Sequence, residues 1–152
     1  MQTDDDLLII VYLSHPYGAA TSEQRRANRC KALAWTEWII NHVPRVAVLA
    51  PWLYYVEIRH TESEARRRQG LEHDLAMLGG ADVVLSVGGM SPGVQAELDH
   101  AEKIGIGAVV INGDLPTHEE SNDYAQRLRA ILLEEMTDED ILQCEGANLQ
   151  TE

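Results

Sequence analysis

The chain contains no phenylalanine among its 152 residues. A core must therefore be built mainly from Leu, Ile, Val and Ala. Cysteine is scarce too. Cys30 and Cys144 are the only two, and no Cys-x-x-Cys pair is present. This excludes a disulfide framework and makes a reducing compartment the simpler setting. Positive charge is also short: 12 Lys and Arg stand against 25 Asp and Glu, for a net charge of −13. Such a surface repels polyanions, so binding along DNA or RNA is not expected. A small anion can still be held where backbone N–H groups and a few Arg converge. The apolar run near the N-terminus is short and follows an acidic segment, Met1 to Asp6. It reads as a strand rather than a signal peptide or a membrane span. The expectation is one cytoplasmic domain over residues 1–152, with no membrane partner and a helix or tail over 137–152.

What is present alternates in period. Leu7 to Leu13 is a continuous apolar run rich in β-branched residues, which suits a strand buried on both faces. Ser14 to Ser22 holds Pro16 and Gly18 and reads as a loop. Glu23 to about His42 has helical spacing, with Ala27, Leu33, Ala34, Trp38 and Ile39 as expected inner positions. Arg45 to Ala50 is a second strand, closed by Pro51. The pattern assigns no element to Trp52–His60, whose aromatics either line a pocket or cover the sheet edge. Thr61 to Leu78 reads as a helix ended by Gly79-Gly80. Ala81 to Val87 is a third strand and Gly107 to Ile111 a fourth. Between them Ser91 is an N-cap and Pro92 the first helical residue of a helix to about Ile104. A last helix spans about His118 to Glu135. Such alternation predicts an α/β fold: a three-layer, flavodoxin-like, doubly wound and mostly parallel sheet of four or five strands. Ligands in such sheets sit at the carboxyl ends of the strands, where the strand order reverses. The loops at Ser14–Ser22 and Gly88–Ser91 lie at such ends.

Two acids break the pattern. Val94, Glu97, Leu98 and Ala101 form the inward stripe of a helix, and Glu97 lies inside it. Leu71, Asp74, Leu75 and Leu78 repeat the arrangement with Asp74 in the matching slot. Burying a carboxylate costs free energy unless it is partnered. Either each acid borders its stripe and reaches solvent or an Arg, or the pair serves chemistry. Two carboxylates can supply a nucleophile and an acid or base for glycosyl transfer. The turn Gly88-Gly89-Met90-Ser91-Pro92-Gly93 lets the backbone approach a ligand just before a helix N-terminus, although the same residues also make a plain turn and cap. Tyr12 ends the first strand, either within reach of a carboxylate or as a wall residue. Arg66-Arg67-Arg68 reads as a solvated face. The six histidines show no metal-ligand spacing. No dinucleotide-binding glycine pattern and no nucleophilic Ser or Cys elbow is seen.

The segment Leu71 to Ala101, LEHDLAMLGGADVVLSVGGMSPGVQAELDHA, resembles the nucleoside 2-deoxyribosyltransferase superfamily. Within it the segment is most similar to the 2′-deoxynucleoside 5′-phosphate N-hydrolase branch. The shared pattern is a helical Asp, then Ala-Asp and an apolar strand, then Ser-x-Gly-Val-x-x-Glu-Leu. Val11-Tyr12-Leu13-Ser14 matches the first strand. The resemblance implies that Glu97 attacks the anomeric carbon, Asp74 assists the departing base and Tyr12 holds Glu97. It implies that Ser91 and the Gly93 amide bind a 5′-phosphate. Ser14, His15, Gly18, Gly88 and Gly89 complete the candidate substrate-binding set. The branch carries an Arg in the first loop, whereas Ser14–Ala20 has none, so Arg25 or Arg26 would have to substitute. The implied ligand is a small nucleoside or nucleotide, without metal or organic cofactor. The implied assembly is a homodimer or higher homo-oligomer that shares its sites. Hydrolase and base-exchanging transferase both stay open, as do a nucleotide-sensing module on the same fold and an interaction protein with structural acids.

Overall fold

The computed structural model describes residues 6–58 and 63–136. Four parallel strands form one sheet: β1 (Ile9–Ser14), β2 (Val46–Leu49), β3 (Val83–Val87) and β4 (Ala108–Ile111). Their order is β2-β1-β3-β4. The chain leaves β1 for one side of the sheet, then crosses to the other. The reversal falls between β1 and β3, where a doubly wound sheet opens its ligand crevice. The expected architecture is the one observed. The tail expected over 137–152 lies outside the described residues.

Among the described residues four helices lie between the strands, α1 (Ser22–His42), α2 (Trp52–Ile58), α3 (Glu64–Leu78) and α4 (Pro92–Ile104), and α5 (Ser121–Glu135) follows the last strand. Their starts follow local hydrogen bonding. Thr21 accepts from the Gln24 amide at 3.1 Å and caps α1. Ser63 caps α3 through the Arg66 amide at 3.2 Å. Thr61, where the sequence pattern opens that helix, is outside the described residues. Ser91 caps α4 through the Val94 amide at 3.2 Å, with Pro92 in the first turn, as expected. Each such cap contributes about 1 kcal/mol by satisfying an otherwise unpaired helical N–H.

The strand period of two separates the faces. Ile9, Val11 and Leu13 of β1 and Val83, Leu85 and Val87 of β3 turn toward α1 and α5, where they meet Trp35, Trp38, Ile39, Leu128 and Leu132. This larger core carries most of the apolar burial. Trp38 also donates from Nε1 to Ser121 Oγ at 3.0 Å, so the indole joins α1 to α5 without stranding its N–H. Buried Arg129 on α5 donates to the carbonyls of Pro44 and Leu7, both at 3.0 Å, and ties that helix to the amino ends of β1 and β2. Tyr12 and Val84 face the other way, against Leu78 of α3 and Ala101 of α4. This second core is small and contains the acids.

Two expected inner positions of α1 are outside. Ala27 and Leu33 are exposed, and Leu33 keeps 45% of its surface. Ala32 and Trp35 take their place, because the large indole sets which stripe meets the sheet. Among the described residues no helix is long and apolar enough to cross a membrane.

Candidate active site

The carboxyl ends of β1 and β3 carry a polar cluster inside an apolar frame. Tyr12, Ser14 and Ser86 lie on the α3–α4 face, and Ser14 and Ser86 are register partners on adjacent strands. All three are buried, with Tyr12 and Ser14 at 0% exposure. Glu97 enters from α4 and Asp74 from α3, at 6% and 8% exposure. Helical spacing explains both acids. Glu97 sits on the stripe with buried Val94 and Ala101, and Asp74 on the stripe with buried Gly70 and Leu78. The two helices pack together over Tyr12, so residues distant in sequence converge.

Burial pushes the Glu97 carboxyl up, from its ordinary 4.5 to about 7. The Tyr12 hydroxyl opposes this by favouring the carboxylate. The charge of Asp74 adds to the rise, and the Ser14 hydroxyl again pulls down. Tyr12 itself is driven far upward by burial, then by Glu97 and Asp74, so its phenol remains a proton donor. Yet Tyr12 Oη, Ser14 Oγ, Ser86 Oγ and Glu97 Oε2 are all buried without a hydrogen bond of proper geometry among the described residues. Folded proteins rarely leave buried polar atoms in this state, and clusters of them mark functional sites.

His15 follows β1 and is 5% exposed. Its Nδ1 donates to the Pro16 carbonyl at 2.7 Å, which leaves Nε2 as the acceptor nitrogen. Burial lowers its pKa, and the Lys31 charge adds to this, against the upward pull of the Pro16 bond. The imidazole is therefore neutral at pH 7. Trp52 stacks on it at 6.4 Å with planes 16° apart, and Trp52 Nε1 is anchored to the Leu13 carbonyl at 3.0 Å. Of the aromatics in the Trp52–His60 stretch, Trp52 opens a short helix and walls a pocket, Tyr54 and Tyr55 line neither cleft, and residues 59–60 lie outside the described residues.

The pocket is a cleft of about 610 Å³ with Glu97 and Asp74 on its floor. Gly18, Ser91 and Gly93 line it, as does His15. Gly88 and Gly89 do not. They line a second cleft, of about 550 Å³, on the other side of His15. The turn that the sequence treats as one unit is thus divided between two cavities. Tyr12 and Ser14 lie beneath the first cleft rather than on its surface, within electrostatic reach of Glu97. Trp52 forms an aromatic wall together with Tyr17, which sequence reasoning did not single out. Its signal was the Pro-Tyr step after β1, which is indistinguishable from an ordinary loop. Arg25 and Arg67 also line the cleft, and Arg25 is braced by donating to the Ala19 carbonyl at 2.8 Å. Arg26 does not line it and is exposed. Among the described residues no group of three or more His, Cys, Asp or Glu could hold a metal ion.

Gly88 has φ of +84°, and a Cβ there would overlap the His15 ring. Gly89 has φ of +101° but open space around it. Gly88→Ala is therefore expected to cost about 2–3 kcal/mol, and Gly89→Ala about 1 kcal/mol, because the second substitution meets only backbone strain. Urea midpoints compare them. Equal losses would show that His15 yields freely.

Comparisons with known proteins agree with this architecture. A solved structure of a 2-deoxyribosyltransferase from the psychrotolerant bacterium Bacillus psychrosaccharolyticus superimposes with a TM-score of 0.50. The match covers 94% of this chain and 97% of that one, at 15% identity, and so establishes a shared fold. No curated protein sequence matches the chain. A family model described as a domain of unknown function, DUF7768, matches residues 9–111, which hold all four strands and both buried acids, and the chain belongs to that family.

Proposed function

We propose that the protein cleaves the N-glycosidic bond of a nucleoside or nucleoside 5′-monophosphate through a covalent intermediate on Glu97. The observation that carries this reading is the pair of buried acids, Glu97 and Asp74, that line an open cleft with the buried hydroxyls of Tyr12 and Ser14 beside Glu97. A carboxylate held in an apolar frame is poorly solvated and correspondingly nucleophilic. Attack of a Glu97 oxygen on the anomeric carbon forms an ester and breaks the carbon–nitrogen bond. The bond electrons pass to the base nitrogen; in this reading Asp74 is protonated in the substrate complex, gives its proton to that nitrogen and is left as the carboxylate. Tyr12 stabilises the Glu97 carboxylate before attack and again when it is released. Water or a second base then takes the sugar, and the Glu97–carbon bond breaks.

The Trp52 and Tyr17 wall suits a flat base, since aromatic faces stack on nucleobases. Arg25 and Arg67, with Ser91 and the Gly93 amide at the α4 start, suit a 5′-phosphate. The likeness to a 2-deoxyribosyltransferase supports the same chemical class.

The test is chromatography of free base after incubation with deoxynucleosides, nucleosides and their 5′-monophosphates. Wild type releases base, and Glu97→Ala does not. Exchange on addition of a second base marks a transferase, and its absence a hydrolase. Arg25→Gln raises KM for a monophosphate about tenfold while sparing the matching nucleoside, as expected for a charge-assisted contact. If no substrate yields base, the reading fails. A nucleotide that raises the melting temperature and stays intact would then mark a binding module.

A further inference from the structure

The Gly88-Gly89 turn has no task in the reaction proposed above. It faces the cleft of about 550 Å³ that opens over the carboxyl ends of β3 and β4, on the α1 side of His15. Lys31 and Trp35 enter it from α1, and Asn112 and Asp114 from the loop after β4. His15 is the one side chain that lines both clefts, so they adjoin without merging.

Three features bear on what the cleft can hold. Lys31 is a cation in a chain of net charge −13, and it makes no ion pair among the described residues. The amides of Gly88, Gly89, Gly113 and Asp114 donate to no backbone carbonyl among the described residues. Gly89 and Gly113 present no side chain, and open space surrounds the position of a Cβ at each. Unused amides and an ammonium thus belong to residues that line one cleft, and a tetrahedral polyanion uses several such donors at once. The Asp114 carboxylate and the Asn112 amide oxygen offer the opposite: acceptors for hydroxyl groups.

We infer that this cleft is a second ligand site, for a phosphorylated sugar, with the phosphate on Lys31 and the glycine amides and the hydroxyls on Asp114 and Asn112. The site is independent of the activity assigned to the Glu97 cleft. His15 separates the two and is held in place by Pro16 and Trp52.

Calorimetric titration of the full chain with ribose 5-phosphate, inorganic phosphate and free ribose tests the inference. Lys31→Gln weakens ribose 5-phosphate and inorganic phosphate alike, each by about tenfold. Asp114→Asn weakens ribose 5-phosphate but leaves inorganic phosphate unchanged or tighter, because a negative charge has been removed from beside the anion. Both residues are exposed, so neither change threatens folding. Arg25→Gln, in the other cleft, removes only the binding that occurs beside Glu97 and leaves the Lys31-dependent binding in place. The inference is overturned if wild type binds no ribose 5-phosphate at millimolar concentration. It is equally overturned if Lys31→Gln leaves both affinities unchanged, or if Arg25→Gln alone abolishes all binding and so moves the ligand to the Glu97 cleft.

Discussion

Glu97→Gln is expected to lower base release by at least ~10³-fold, because the amide keeps the shape of the side chain but cannot attack the anomeric carbon. KM should change little, since the residue acts on the reacting carbon rather than on the body of the ligand. Stability should move the opposite way. Above pH 7 the wild type must keep a charge buried at 6% exposure, whereas the glutamine is neutral. A variant that is inactive and more stable than wild type is the signature of a residue retained for chemistry at a cost in folding. A residue retained for architecture would give the reverse, a variant that keeps activity and loses stability. Steady-state kinetics and denaturant unfolding on the same preparations separate the two outcomes.

The pH dependence carries the second large effect. Burial raises the Glu97 carboxyl to about 7 in the folded chain, from an ordinary 4.5. The unfolded chain therefore gives up this proton first as pH rises. Between about pH 4.5 and pH 7 the unfolded state binds fewer protons at this site, so stability falls across that window and is level above it. The rise in pKa corresponds to about 3 kcal/mol. Comparing wild type with Glu97→Gln isolates the term, because the other carboxylates are common to both. The difference between them should grow from near zero at acid pH to about 3 kcal/mol in favour of the variant above pH 7. Activity follows the opposite trend. Attack requires the ionised carboxylate, so kcat/KM should rise about tenfold per pH unit below about pH 7 and level off above it. A profile that is flat from acid to neutral pH would remove Glu97 from the role of nucleophile.

Much of the layout of the candidate site was legible in the sequence. Glu97 and Asp74 stand out because each occupies an apolar helical stripe, and both stripes are inward in the fold. Ser91 and Pro92 announce the start of α4 through local chemistry alone, and Ser91 caps it. The end of the first strand left Tyr12 either within reach of a carboxylate or as a wall residue, and only the resemblance paired it with Glu97. Periodicity shows that a residue is buried but not what it is buried against. The sharing of His15 between two clefts, and the division of Gly88-Gly89 from Ser91 and Gly93, had no signal at all. Adjacent residues after a strand can point to opposite sides of the sheet, and backbone angles at glycine are not encoded by a side chain.

By itself the sequence determined the elements: short β-branched runs for a sheet buried on both faces, capped helices between them, and two acids set in apolar stripes. Those are local choices, made by side-chain period, capping and turn chemistry within a few residues. Only the tertiary structure decided the order β2-β1-β3-β4, the convergence of Tyr12, Asp74 and Glu97, and the use of Trp52 as a wall against His15. It also chose Ala32 and Trp35 over Ala27 and Leu33 as the inner face of α1. Each of these depends on contacts between segments far apart in the chain. Their free energy comes from apolar area removed from water at the meeting of two surfaces, and one surface alone does not specify its partner.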